Sequence, residues 1–459
     1  MGFSNPEKGS GVAAFDPRKL LAVLSRLPAG GRYWVAYSGG CDSHVLLHAM
    51  ASLAEGLETA VQAVHVHHGL SAAADQWAHH CQTVCRQLSV PLHLLQVDAA
   101  PQAGESPEAA ARAARYEAIA PLIQTQDCLL TAHHLDDQAE TLLLQLLRGG
   151  GPHGLAAMSV CSPFAAGILA RPLLDFSRSA LLVYAREQAL SWVDDPSNFD
   201  TDIRRNFLRH EIFPRLAKIW PATALAIARS AQHCAEAAAL LDSQAVEDLH
   251  QVRGPQDCQL VISRLVLLSD ARQRNVIRYW CRSLGFSIPQ TVHLQHIRQD
   301  ILHSAADRQP LVNWPGAEIR RYRDLMYLMK PLTAFDPKSV LHWDMQSALS
   351  LPAGGGSLEA VSSEAGGLDR GTCRRMRLTV RFRQGGEHCL PVGHRQQKSL
   401  KKLLQEAGIP PWQRNCLPLL YVDDQLAAIA DLWVCQPFQS DDGQAGLRLR
   451  YHPGFALSQ

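Results

Sequence analysis

The sequence predicts an α/β fold for its first half, a Rossmann-like parallel sheet with helices on both faces. A helical middle domain and a small α+β C-terminal domain are predicted to follow. Three observations carry this. Residues 33–37, Tyr-Trp-Val-Ala-Tyr, form an apolar run that stops at Ser38 and gives way to a helical pattern at His44. Strand-like and helix-like stretches then alternate four times, the signature of a parallel sheet. From Pro221 the texture changes, with nine alanines between 222 and 239 and leucines at helical spacing.

The first junction organises the rest. Gly39 and Gly40 have no Cβ, so the backbone can turn tightly and come close to a ligand, while Ser38, Asp42 and Ser43 place polar groups beside it. A helix starting there offers unpaired N–H groups and the positive end of its dipole, which favour a phosphate. There is no Gly-Lys-Ser/Thr and no three-glycine fingerprint, so neither the usual nucleotide triphosphatase loop nor a dinucleotide fold is indicated.

Residues 61–67 alternate as a strand and end at His68-Gly69, and residues 71–88 carry a helical pattern. Residues 92–97 read as the next strand, Ser106-Pro107-Glu108 as an N-capped helix start, and residues 128–132 as another strand. In such a sheet, ligands sit at the carboxyl ends of strands, so the turns after Tyr37, His67 and Ala132 should meet in one crevice. His65, His67, His68, His133 and His134 lack the cysteine or carboxylate spacing of a zinc motif. His65 and His67 share one face of their strand, placed to line the crevice.

Residues 133–150 form the second informative stretch. Asp137 is expected to cap a helix, with Glu140 reaching back three residues later and Gly149 closing it. One cap needs only one aspartate. The pair Asp136-Asp137, behind two histidines at a strand end, can also hold a magnesium ion or take a proton from an attacking amine.

The whole chain sets limits. Its 459 residues hold two to four domains, 47% hydrophobic and 19% charged content marks a globular protein, and no apolar run is long enough to span a bilayer. The first residues have no apolar signal core, so a cytoplasmic protein is expected. Twelve cysteines lie singly among apolar neighbours and are expected to be reduced. The net charge of +1 conceals a local surplus: residues 374–414 carry ten Lys or Arg against two acidic residues. Residues 311–329, with Arg320, Arg321 and Arg323, read as a small hairpin, and the glycine-rich residues 349–372 as a flexible insertion. The expected divisions are 1–217, 218–335, a linker at 336–372, and 373–459.

Ser38-Gly39-Gly40-Cys41-Asp42-Ser43 after a strand resembles the pyrophosphate loop, or PP-loop, of the ATP pyrophosphatases, which split ATP into AMP and pyrophosphate. His133-His134-x-Asp136-Asp137-Gln138-x-Glu140-Thr141, Arg171-Pro172-Leu173-Leu174, Asp194-Asp195-Pro196-Ser197-Asn198 and Arg205-Asn206-x-x-Arg209 resemble segments of the tRNA(Ile)-lysidine synthetase family. Arg112 lies in another matching stretch. Arg383-x-Gly385-Gly386-Glu387, Lys398-Ser399-Leu400-Lys401-Lys402 and Pro411-Trp412-Gln413-Arg414 resemble its C-terminal domain.

The resemblance implies ligation of free lysine to the wobble cytidine of a CAU-anticodon isoleucine tRNA, through an adenylated cytidine. It implies ATP and Mg2+, with Ser38, Gly39, Gly40, Cys41, Asp42, Ser43, His65 and Arg112 at the nucleotide and Asp42 and Asp136 at the metal. Asp42, Asp136, Asp137, His133 and Arg205 are its implied catalytic residues, and Arg209, Lys398, Lys401, Lys402 and Arg414 its implied tRNA contacts. The middle domain is implied to hold the tRNA. A homodimer is left open, and no membrane partner is expected. Two alternatives remain at this point: a PP-loop tRNA thiolase, which normally shows a cysteine pair not seen here, and a non-catalytic tRNA-binding protein.

Overall fold

The computed structural model describes residues 14–27, 30–57, 59–67, 74–98, 107–304, 308–334, 336–364, 366–441 and 444–454. The expected N-cap Ser106 and the turn His68-Gly69 lie outside these residues. The chain packs as two compact units, Met1–Leu240 and Leu241–Gln459.

In chain order, the first unit contains α1 (Pro17–Leu24), β1 (Tyr33–Ala36), α2 (Cys41–Leu53), β2 (Val61–His67), α3 (Ala74–Gln87), β3 (Leu92–Gln96), α4 (Pro107–Ile119), β4 (Cys128–Leu130), α5 (Leu135–Leu147) and α6 (Pro152–Leu155). β5 (Cys161–Phe164), β6 (Gly167–Ala170), α7 (Arg178–Glu187), α8 (Arg204–Phe207) and α9 (Phe213–Ile219) follow. The strands form a sheet in the order β3-β2-β1-β4-β6-β5, parallel except for β5, which pairs antiparallel with β6 at the edge.

The two-residue period of a strand explains the layering. Tyr33, Val35 and Tyr37 enter one core with residues of α2, α3 and α7, while Trp34 enters the opposite core with Val64, Leu129 and Ile119. Both faces are therefore covered, as a parallel sheet requires. The strand order reverses direction at β1, which pairs with β2 on one side and β4 on the other, so the crevice opens beyond Tyr37 and Thr131.

Helix α10 (Thr223–Val252) carries the chain across the division between the units. The second unit begins with β7 (Gln259–Val261), α11 (Ile262–Leu265), α12 (Asp270–Ser283), α13 (Thr291–His296), β8 (Leu311–Trp314), β9 (Ala317–Tyr322) and β10 (Leu325–Met329). The hairpin expected at 311–329 is part of a larger sheet, β7-β10-β9-β8. Gln259–Val261, too short to stand out in the sequence, supplies the additional strand.

The rest of the unit comprises β11 (Leu341–His342), β12 (Leu349–Ser350), β13 (Ser357–Ser363), α14 (Arg370–Arg375), β14 (Leu378–Arg381), β15 (His388–Cys389), β16 (Lys398–Ser399), α15 (Leu400–Glu406), α16 (Pro411–Arg414), β17 (Leu419–Val422), β18 (Gln425–Ile429), β19 (Trp433–Val434) and β20 (Gly446–His452). The expected linker at 336–372 requires correction. β13 pairs with β20 over seven residues, and Trp343, Leu351, Leu358 and Leu368 are buried in one core with Val380 and Leu420. Several glycines there sit at turns, for example Gly356 at φ +92°, where a Cβ would strike the His452 carbonyl oxygen. A stretch poor in apolar residues thus joins a core because its partner strand lies about 90 residues further along the chain. No helix among the described residues is long and apolar enough to cross a membrane.

Leu358 is fully buried, so Leu358→Ala should destabilise the protein by roughly 2–5 kcal/mol in urea unfolding. A linker residue would change stability by less than about 0.5 kcal/mol.

Candidate active site

The glycine turn after β1 is built around two serine hydroxyls. The Ser43 hydroxyl donates to the Gly40 carbonyl at 2.9 Å and accepts the Ser38 N–H at 3.2 Å, and the two hydroxyl oxygens lie 3.0 Å apart. Gly39 has φ +88°, and a Cβ there would approach the Cys81 sulfur to 3.1 Å. The positive φ favours glycine, and the sulfur leaves little space for a side chain. Gly40 is the N-cap of α2 and supplies no side-chain cap, so the first amides of this helix face the turn without an internal acceptor. That is an anion seat.

Residues 191–193 close over the turn. The Val193 N–H donates to the Gly39 carbonyl at 3.0 Å, and His44 Nδ1–H donates to the Ser191 carbonyl at 2.7 Å. Cys41, in the turn itself, is buried, and burial pushes its thiol up to about 12. It packs, and stays protonated.

Across the crevice, α5 starts at the end of β4. Its N-cap is His134 rather than Asp137, which corrects the expected capping by one turn. His134 Nδ1 accepts the Asp137 N–H at 3.4 Å, and Asp137 Oδ2 accepts the His134 N–H at 3.0 Å. The expectation failed because a histidine can cap through its ring nitrogen, and it stands three residues before Asp137 as a capping box requires.

Glu140 is therefore free of the cap, and it meets two arginines. Arg205 Nε donates to Glu140 Oε2 at 2.7 Å and its terminal nitrogen to Asp137 Oδ1 at 3.0 Å. Arg209 Nε donates to Glu140 Oε1 at 2.7 Å, with further bonds to Asp137 Oδ1 and Glu140 Oε2. Burial alone would raise the Asp137 pKa, but His134, Arg205 and His133 outweigh it and pull it down to about 2. Burial also works against the charge on both arginines, and the two carboxylates outweigh it.

Asp42 and Asp136 are differently placed. Asp42 Oδ1 is buried without a hydrogen-bond partner, and its Oδ2 lies 3.6 Å from His134 Nε2. Asp136 Oδ2 accepts the Arg178 N–H at 2.8 Å and lies 3.6 Å from His134 Nδ1, with over a third of the side chain exposed. His134, 1% exposed, thus stands between the three aspartates. Burial disfavours its charged form, but Asp137, Asp42 and Asp136 prevail and raise its pKa.

A magnesium ion fits this arrangement. An orphaned carboxylate oxygen beside a phosphate seat is an incomplete ligand set, of the kind that substrate phosphates and water complete around Mg2+. Among the described residues no group of three or more His, Cys, Asp or Glu side chains could hold a metal by itself. The histidines serve separate partners. His65 Nδ1–H donates to the Tyr37 carbonyl at 2.9 Å, His67 lies 3.1 Å from Asp75, and His133 Nδ1 lies 2.9 Å from the Thr131 hydroxyl.

Several expected site residues are placed otherwise than their assigned roles suggest. His65 is only 6% exposed and braces the end of β1 beneath the turn. His133 is pushed down to about 3, by burial first, so it is neutral at pH 7 and cannot serve as a cation. Arg209 grips Glu140 and Asp137 and has no free fork for a phosphate. Arg414 donates to the Ile409 carbonyl at 2.7 Å and the Tyr322 hydroxyl at 3.1 Å, so it joins two parts of the second unit. Lys398 precedes α15 and pairs with Glu406 at 2.9 Å. Lys401 and Lys402 are exposed and, with Arg323, line an open groove of about 550 Å³. Arg112 is exposed and lies over the Tyr116 ring at 5.2 Å.

His134 and Glu140 were missed as site residues. Both stand in the stretch 133–150, but their partners lie up to 92 residues away; capping accounted for Glu140, and His134 read as one of several strand-end histidines.

The quartet makes a contrast measurable. Asp137→Ala leaves two half-buried guanidiniums facing one buried carboxylate and should cost about 3 kcal/mol, whereas Asp136→Ala loses one hydrogen bond, about 1 kcal/mol. The folded Asp137 binds its proton more weakly than the unfolded one, so its contribution holds above about pH 4 and is lost as pH falls towards 2. Asp137→Asn should accordingly flatten the acid limb of a stability–pH curve.

Comparison with known proteins bears on the whole chain. Residues 16–216 match the family model of the PP-loop domain, residues 260–327 that of the TilS substrate binding domain, and residues 378–451 that of the TilS substrate C-terminal domain. The tRNA(Ile)-lysidine synthase of Coxiella burnetii is 42% identical over 439 residues, 96% of this chain and 97% of its own length. That of Methylococcus capsulatus is 42% identical over 429 residues, 93% and 98% of the two chains. The U34-tRNA thiolase NcsA from Methanococcus maripaludis overlaps 48% of this chain and 77% of its own at 17% identity, with a TM-score of 0.42, too weak a likeness to carry weight. With relatives this similar over nearly the full length, the chain belongs to the tRNA(Ile)-lysidine synthase family.

Proposed function

We propose that this chain uses ATP to join free lysine to the wobble cytidine of a tRNA(Ile) with a CAU anticodon, forming lysidine in the cytoplasm. The observation that carries the site assignment is the uncapped N-terminus of α2 beside the orphaned Asp42 oxygen. These two features suit a polyphosphate and its counter-ion. In the first step, the cytosine O2 attacks the α-phosphate of ATP, and the bond to pyrophosphate breaks. The α2 amides and the hydroxyls of Ser38 and Ser43 hold the departing charge. Asp42, with its orphaned oxygen, would hold Mg2+, which would neutralise phosphate charge, and this leaves Asp136 for the second step.

In the second step, the lysine ε-nitrogen bonds to cytosine C2, and the C2–O bond to AMP breaks. An ammonium has no lone pair, so the amine must first lose a proton. Asp136 is the carboxylate for that task. Asp137 has both oxygens engaged and a depressed pKa, which makes it a poor acceptor. Its role is to orient His134 and anchor Arg205 and Arg209. The alkyl stem of the substrate identifies lysine only by family membership, so the amino acid is the point to test.

Pyrophosphate release with tRNA(Ile), ATP and each amino acid in turn should depend on the tRNA, and AMP should appear only with lysine. Asp42→Asn should lower AMP formation by at least roughly a hundredfold while tRNA affinity stays within a few fold. Retained turnover in that variant rules out the assigned phosphate and metal site.

The tRNA grip is assigned in part to Lys401 and Lys402. The apolar side of α15, Leu400, Leu403 and Leu404, is buried, which leaves these lysines outward. Replacing both by Gln should flatten the slope of log affinity against log salt by about two units, with little change in turnover at saturating tRNA. Lys398→Gln alone should have a smaller effect, because its ammonium already has a carboxylate partner.

A further inference from the structure

The turn between α7 and α8 carries a large apolar side chain into solvent. Phe199 is 67% exposed. The turn that holds it is nevertheless firmly built. The Ser197 N–H donates to Asp195 Oδ1 at 2.9 Å, and Asn206 Nδ2 donates to the carbonyls of Ser197 and Asp200 at 2.8 and 2.9 Å. His210 Nε2–H donates to the Asn198 carbonyl at 2.9 Å, which sets the plane of its ring. That ring lies against Phe199, with centroids 5.6 Å apart and planes 25° from parallel.

This arrangement does little for folding. A ring left two-thirds in water gains a small part of the burial a core phenylalanine gains, yet its position is defined by four hydrogen bonds around it. An aromatic face held rigid and backed by a second ring is suited to an unpaired nucleotide base, which stacks without needing a specific edge contact. Its place in the fold supports this occupant. Asn206 and His210, which hold the turn, directly follow Arg205 and Arg209, which clasp Asp137 and Glu140 in the crevice. Arg204 is exposed on the same short stretch, but so are Asp194, Asp200 and Asp202, so what the turn offers a nucleotide is the ring face and not a phosphate contact. Residues 208–212, which carry Arg209 and His210, form a turn of π-helix, an irregularity frequent at functional sites.

We propose that the Phe199–His210 stack is a platform for an unpaired base of the anticodon loop, next to the cytidine that reacts. The inference rests on the reading that a tRNA is the substrate, and it adds a contact outside the ATP and lysine sites. Phe199 is then a binding residue for the RNA and takes no part in the chemistry.

The test uses the full chain and a tRNA(Ile) anticodon stem-loop carrying 2-aminopurine at one loop position at a time. The parent and Phe199→Trp should quench the fluorescence at one position at least. Phe199→Ala and Phe199→Leu should not, and their Kd for the stem-loop should rise roughly ten- to a hundredfold, with KM for ATP and melting temperature unchanged. Leucine keeps the apolar contact without the flat ring, so a normal Kd for Phe199→Leu overturns stacking. Unaltered quenching and Kd in Phe199→Ala overturns the platform altogether. So does a change confined to the chain's own mass in light scattering, which makes the ring a protein contact. Pyrophosphate release by the parent with tRNA, ATP and lysine is measured alongside. If it is absent, the substrate reading fails; if present with no effect of Phe199→Ala, only the platform fails.

Discussion

The candidate site depends on one buried electrostatic balance. Asp137 and Glu140 at the start of α5 face Arg205 and Arg209, and the four groups share five hydrogen bonds of 2.7 to 3.0 Å. Charges taken out of water must be paired, and breaking such a set leaves an uncompensated ion. Two carboxylates against two guanidiniums leave no net charge. The clasp therefore fixes α8 and the turn before it to the strand end that carries the aspartates.

That clasp also divides the labour among three neighbouring aspartates. Asp137, paired and depressed in pKa, has no free oxygen for a ligand. Asp42 retains an orphaned oxygen, and Asp136 retains exposure. His134 lies between them as a buried cap whose ring nitrogens face all three. Three similar carboxylates thereby acquire different chemistry through their neighbours alone. At Asp42 and Asp136 the protein has left its own charges incompletely matched.

The sheet places these pieces together. β1 and β4 are adjacent and parallel, so the phosphate turn after one and the aspartates after the other emerge at the same edge. Residues 191–193 return from beyond α7 to bind the Gly39 carbonyl, adding a third segment to the edge. In the second unit, burial of Leu400, Leu403 and Leu404 orients Lys401 and Lys402 outward, while Arg414 and Lys398 are held by neighbours.

Much of this was legible in the chain because it is local. A strand followed by Ser38-Gly39-Gly40 and a helix defines an anion seat through backbone geometry that short-range sequence dictates, and alternation with period two marks the strands. The role of Glu140 was not legible: three residues after Asp137 it reads as a cap, and only the approach of Arg205 and Arg209, 65 and 69 residues away, makes it an ion-pair partner. The same holds for 336–372, whose glycines suggested a linker until β20 paired with β13. Sequence by itself determined the turns, the helical and strand periods and the candidate acids; tertiary structure alone decided which acid is paired and which is left open, because long-range partners and burial set the free energy of a charge.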